Sequence, residues 1–337
     1  MRSSRPALKA LVLAPVLALT LGLSACSGDS GGSGGEGGDG KGTQKVRFGY
    51  IGDYNGASLL AIADERGLWK KQGLSADYKT FTNGPIQIQA LGAGDLDFGY
   101  IGPGAVWLPA TGKADILAVD TLTYADRVIA RPGIDSVKDL KGKKVGVPEG
   151  TSGEMVLNLA LQKAGLSEKD IQKVPLDATT VVSAFVAGKI DAAGFWYPAI
   201  DTIKAKKPDT KEIASTEQFT DRAFPTAFVA GTSVKPALRE KVVKVLQEAN
   251  DWRFAHPKES VASAAKLLKA DVSQVEKDAS HVRTLSTKDL VAKTGDGTVA
   301  GWFKGLEDFF VSTGQLPAAK DPKEFYDGDL YTRAHAR

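Results

Sequence analysis

The residues best placed to do chemistry lie in six short loops rich in glycine and hydroxyl side chains. Gly52-Asp53-Tyr54-Asn55-Gly56, Thr82-Asn83-Gly84 and Gly102-Pro103-Gly104 form one group, and Glu149-Gly150-Thr151-Ser152-Gly153, Asp177-Ala178-Thr179 and Trp196-Tyr197-Pro198 form another. A glycine-rich loop entering a helix presents unpaired backbone N–H groups at the positive end of the helix dipole, which suits a small anion. Thr151 and Ser152 add hydroxyl donors, although plain N-capping uses the same residue types. No loop matches GxxxxGK[ST] or GxGxxG, so nucleotide binding is disfavoured. Arg127, beside Asp126, reads as one half of an ion pair before it reads as a ligand contact.

Other chemistries lack their residues. The chain of 337 residues has one cysteine, Cys26, and three histidines, His256, His281 and His335, without HxxxH or HExxH spacing. An internal disulfide is therefore impossible, and neither a cysteine-based metal cluster nor a histidine metal site is expected. No Ser/His/Asp order or carboxylate pair suggests catalysis, and no cofactor is expected.

The amino terminus accounts for the charge. Arg2, Arg5 and Lys9 precede an uncharged run from Ala10 to Leu23, which reads as a secretory signal peptide over residues 1–25, too short to span a membrane. Leu23-Ser24-Ala25-Cys26 resembles the lipobox of bacterial lipoproteins, whose cysteine is acylated after cleavage just before it. Losing residues 1–25 turns a formal charge of +3 into 40 basic against 40 acidic side chains. That neutral balance, without basic runs, gives no support for a nucleic-acid partner. Residues 26–44 then combine the lipidated cysteine with a tether of mostly glycine and serine, which buries too little apolar surface to order itself. With 42% hydrophobic and 25% charged residues, the body is that of an ordinary globular protein, long enough for two lobes.

Hydrophobic periodicity supplies the elements that must hold the six loops. Strands are expected at Val46 to Ile51, Leu74 to Phe81 and Leu96 to Ile101, with helices at Ser58 to Lys71 and Pro85 to Ala93 between them. The same βαβαβ order returns with strands at Val145 to Val147, Ile171 to Leu176 and Ile190 to Phe195, and helices at Gly153 to Ala164 and Thr179 to Ala187. Ala90, Ala93, Gly94 and Asp97 recur as Ala184, Ala187, Gly188 and Asp191 at a constant offset of 94. Each glycine suits a left-handed turn after a helix, and each aspartate a turn or capping role. Further on, a helix is expected at Pro198 to Ala205, then strands at Lys211 to Ala214 and Phe228 to Thr232. Helices follow at Pro236 to Ala255, Pro257 to Leu268, Ser273 to His281 and Val299 to Thr313. The last carries an aromatic stripe that reads as core, and the chain after Leu316 reads as a loosely packed tail.

Four segments carry a family resemblance: Phe81-Thr82-Asn83-Gly84-Pro85, Ala93 to Gly102, Asp139 to Val147, and Lys163-Ala164-Gly165-Leu166. They resemble the hallmark segments of solute-binding proteins for aliphatic sulfonate, taurine and nitrate ABC importers, from about Lys45 to Ile203. The resemblance implies an α/β fold of the type II periplasmic-binding-protein kind: two similar Rossmann-like lobes joined by crossover strands at Arg127 to Ala130 and Phe228 to Thr232, with a helical C-terminal segment. Lobe 1 would comprise 45–127 and 228–337, and lobe 2 would comprise 128–227. It also implies a non-enzymatic receptor, lipid-anchored on the extracytoplasmic face, monomeric, with an ABC permease and ATPase as partners.

Ligands of such lobes sit outside the carboxyl ends of the strands. The expected contacts are Asp53, Tyr54, Asn55, Gly84, Gly102, Pro103, Gly104, Thr151, Ser152, Gly153, Trp196 and Tyr197, around a small organic anion of the aliphatic sulfonate kind. Trp196 and Pro198 match the family at its cleft loop, whereas Tyr197 replaces the usual acid and argues against a zwitterion whose amine is held there. Trp107 reads as lobe core. Nitrate, bicarbonate, a pyrimidine- or flavin-like aromatic, and a sensing role without transport remain alternatives. A pyrimidine-precursor synthase of the same fold would need an active-site histidine and a cysteine-rich motif that are missing here.

Overall fold

Repeated βαβ units require parallel strands whose helices cover both faces of a sheet, and the computed structural model shows two such sheets. It describes residues 43–335, so the signal peptide, Cys26 and nearly all of the tether lie outside the described residues. Of the tether only Thr43 and Gln44 are described, and Gln44 is the first residue of a strand.

The strands are β1 (Gln44–Ile51), β2 (Leu74–Phe81), β3 (Phe98–Ile101), β4 (Asp115–Thr123), β5 (Asp126–Ala130), β6 (Lys144–Val147), β7 (Gln172–Pro175), β8 (Ala192–Trp196), β9 (Lys211–Ser215), β10 (Pro225–Ala230) and β11 (Val282–Thr284). One sheet has the order β11-β4-β10-β3-β1-β2 and the other β7-β6-β8-β5-β9. β2-β1-β3 and β7-β6-β8 are equivalent parallel triplets, and each continues into an antiparallel strand, β10 in one lobe and β5 in the other. The chain passes between sheets just before β5 and just before β10, so each antiparallel strand is the first of the lobe it enters.

The internal repeat has a common physical basis. Gly94 and Gly188 both take positive φ, 77° and 73°, where a side chain would be strained. Asp97 and Asp191 then each accept from a backbone N–H of the central strand of their own triplet, Arg47 N in β1 at 2.8 Å and Lys144 N in β6 at 2.9 Å. These aspartates are structural, as expected, but they fasten neighbouring strands together instead of capping a turn.

Each lobe buries its own core. In the first, the Phe48 ring stacks on Phe98 with centroids 5.0 Å apart and meets Phe228 edge-on. The second sheet is covered on one face by a cluster around Leu157 and Leu161 and on the other by one around Phe185, Phe195 and Ile203.

Four local expectations change. The helix expected from Ser58 to Lys71 begins earlier and breaks, giving Tyr54–Glu65 and a single turn Leu68–Lys71, because Gly67 takes a φ of 63°. β4 is not among the expected elements, and its nearly uniform burial explains why: period-two alternation vanishes when both faces are covered. The helix Thr287–Gly295 is likewise absent from the expected elements. The chain after Leu316 is not loose: Phe325, Tyr326, Leu330 and Tyr331 are buried, and Phe325 and Tyr326 pack on Phe303 of the aromatic stripe.

Candidate functional site

The carboxyl ends of β1, β3 and β8 point toward one another across a small chamber between the sheets. Its walls come from both lobes. Ile51, Asp53, Asn55, Asn83, Gly84, Pro85, Tyr100, Gly102, Pro103 and Ala105 line the first-lobe side, with Thr123 and Thr226. Asp126, Thr151, Ser152, Trp196 and Tyr197 line the other, and Ala125 lies at the passage between sheets. A wider groove adjoins the chamber and shares Ile51, Asp53 and Trp196 with it.

The first-lobe wall is held open by a side chain. β1 and β3 pair only at Phe48 and Phe98. Beyond that point the buried Gln87 amide occupies the backbone of Tyr100, donating to its carbonyl at 2.7 Å and accepting from its N–H at 2.9 Å. The strands can therefore splay toward the chamber without leaving buried backbone groups unpaired.

Nine of the twelve residues expected to touch ligand line the chamber: Asp53, Asn55, Gly84, Gly102, Pro103, Thr151, Ser152, Trp196 and Tyr197. Three do not. Tyr54 points back into the lobe, where its hydroxyl shares a 2.8 Å hydrogen bond with Ser260. Gly153 faces β8, and a Cβ there would stand 2.4 Å from the Gly194 carbonyl oxygen. Gly104 meets the opposite lobe instead of ligand space, since a Cβ on it would lie 2.1 Å from the Ser152 nitrogen. Trp107, expected in the core, is half-buried and donates to the Gly150 carbonyl across the lobes at 3.4 Å.

The polar groups of the chamber differ from an anion cradle. Asp53 caps the helix Tyr54–Glu65, accepting from Gly56 N at 2.7 Å, and Asp278 accepts from Tyr54 N at 2.6 Å on the same helix end. Burial and the neighbouring Asp278 carboxylate hold the Asp53 carboxyl well above its ordinary pKa. Asp126 is pushed up to about 6 by burial, against the pull of the nearby Ser152 hydroxyl and Arg127. Thr151 spends its hydroxyl proton on the Pro148 carbonyl at 2.6 Å. Tyr197 lends the chamber its ring while its hydroxyl bonds Glu212 and accepts from Lys204 at 2.9 Å. Among the described residues no lysine, arginine or histidine lines the chamber.

Arg127 behaves as expected of an ion-paired hinge residue. It bonds Glu212 and Glu217, each at 2.8 Å, and not the Asp126 carboxylate. Its neighbour His281, from the first lobe, stacks on the Tyr197 ring with centroids 4.3 Å apart. The adjacency of Asp126 and Arg127 in the sequence suggests a pair and conceals that Asp126 lines the chamber. Strand alternation was the available signal, since adjacent residues of β5 face opposite sides of the sheet. Among the described residues no cluster could hold a metal ion, and no helix is long and apolar enough to cross a membrane.

Two α/β lobes, each built on the same strand order and meeting around a chamber, define the fold of the type II periplasmic binding proteins. A solved structure with that architecture, the alkanesulfonate-binding protein of Xanthomonas axonopodis pv. citri bound to MOPS, superposes with a TM-score of 0.65 at 21% identity, covering 84% of this chain and 97% of that one. Residues 57–260 match the family described as NMT1/THI5 like, and the chain belongs to that family. A candidate binding protein of Brucella abortus is 52% identical over 85% of this chain and 91% of its own length. A candidate aliphatic sulfonates-binding protein of Bacillus subtilis is 30% identical over 96% of both chains.

Proposed function

We propose that this protein is the solute-binding receptor of an ABC importer, held by a lipidated Cys26 at the extracytoplasmic face of the membrane. The observation that carries the reading is the chamber walled by both lobes, because a ligand there bridges them and favours the closed form over any open one. Membership of a family whose relatives are binding proteins supports it, as does the lipobox-like quartet before Cys26. The names of the relatives favour a small organic solute of the sulfonate kind, and the chamber's carboxylates restrict which solutes of any kind can enter. The role is one of capture and delivery, without catalysis.

The test is capture of the tagged full chain from detergent-solubilised membranes of its own host. A membrane permease and an ATP-hydrolysing subunit are expected to come with it. If the chain binds a solute but retains neither subunit, it is a sensor and not an importer component. Metabolic labelling with palmitate is expected on the wild type and absent from Cys26→Ser; an unlabelled wild type removes the anchor.

A further inference from the structure

Several anion-binding devices of this cleft are already occupied by the protein's own groups, although the helix Ser152–Lys163 begins without a side-chain cap. The helix Tyr54–Glu65 receives two carboxylates at its N-terminus, from Asp53 and Asp278. In the facing loop Gly150 N is taken by Glu154 at 2.7 Å, and Ile86 N by the Asn83 amide oxygen at 3.1 Å. An anion would find these particular N–H groups spent, and at the uncapped start of Ser152–Lys163 it would face Asp53 and Asp126 with no lysine, arginine or histidine among the described residues of the wall.

The opposite need is conspicuous. Asp126 is 1% exposed, and its Oδ2 has no hydrogen-bond partner although the residue lines the chamber. Buried polar atoms are nearly always satisfied, and an unsatisfied one in a chamber marks a place where a ligand donor belongs. Asp126 stands directly opposite Trp196 in the antiparallel pairing of β5 and β8. Side chains in such a pair sit within about 5 Å of each other at Cβ. An acceptor and a flat aromatic face are thus side by side, an arrangement that suits a nitrogen cation or an aminated planar group.

We propose that the chamber selects solutes bearing an amino, ammonium or amidine-type nitrogen, whose N–H groups bond Asp126 beside the Trp196 indole, and that it excludes plain anions lacking such a nitrogen. This deepens the receptor reading and rests on it.

The test is calorimetric titration of the purified full chain in detergent at pH 7.5 with benzamidine and 4-aminopyridine, against benzenesulfonate and ethanesulfonate. At least one nitrogen probe is expected to bind and to weaken tenfold or more in Asp126→Asn, with both sulfonates silent. A sulfonate that binds the wild type, and binds Asp126→Asn equally or more tightly, overturns the proposal and leaves the receptor standing. Silence of both nitrogen probes also overturns it, and the receptor reading is then judged separately by capture of the permease. Unliganded Asp126→Asn with a melting temperature at or above wild type shows that lost binding is not lost folding.

Discussion

Asp126 shows how much one side chain can govern the site. Its pKa of about 6 exceeds the ordinary aspartate value of roughly 3.9 in an unfolded chain, so the folded state holds the proton more tightly. Unfolding therefore releases protons between those values, and the unliganded protein loses stability from this group as pH rises from about 4 to about 6. A shift of about two units corresponds to about 3 kcal/mol. Asp53 and Asp278 are shifted in the same direction. Asp126→Asn, neutral at every pH, is expected to exceed wild type in melting temperature at pH 7.5 and to converge with it near pH 4; equal melting at both would place the carboxylate in water. At the same wall, Trp196→Ala removes the surface shared by chamber and groove and should weaken whichever solute binds by about tenfold or more. Unchanged affinity in the titration would remove Trp196 from the site.

Elements hold these residues through a few buried polar connections that cross long stretches of sequence. The helix Pro236–Ala255 is fastened to β4 by Arg253, whose guanidinium is fully buried and meets Asp120 at 2.8 Å. It also donates to Ser58 Oγ, Asn250 Oδ1 and the Asp120 carbonyl. Truncating one partner strands the other, so Arg253→Ala should cost about 3–5 kcal/mol by urea denaturation. An apolar replacement of both, Arg253→Met with Asp120→Leu, should recover most of it. None of this was legible in the sequence, and the reason is physical. The two βαβαβ units announced themselves because their periodicities are local, and the Gly94/Asp97 and Gly188/Asp191 repeat fixed their equivalence. Nine of the twelve expected contacts line the chamber, because loops at strand ends must converge. What stayed hidden was set by distant contacts: β4, buried on both faces; the tail, whose large apolar side chains Phe325, Tyr326, Leu330 and Tyr331 are scattered; and Asp126, whose facing depends on a sheet register.

For the whole molecule the decisive contact is where the lobes meet. Gly104 of the first lobe lies so close to Thr151 and Ser152 of the second that a single methyl group would overlap backbone, 2.1 Å from Ser152 N and 2.3 Å from Thr151 O. Backbone at that distance cannot yield as a flexible side chain would, so the clash is relieved only by moving the lobes apart. Nothing in the first lobe itself crowds the position more closely, and a lobe separated from its partner should accept alanine there. Gly104→Ala is therefore expected to melt within a few degrees of wild type when unliganded, since each lobe keeps its own core. It should nevertheless bind solute at least about tenfold more weakly, because the bridged, closed arrangement is the one that the methyl group opposes. Small-angle scattering distinguishes the causes: wild type should contract on adding a bound solute, while Gly104→Ala should stay expanded. A variant that contracts and binds as wild type does would mean that the ligand is held without the Gly104–Ser152 contact, and that capture does not depend on closing the lobes this far.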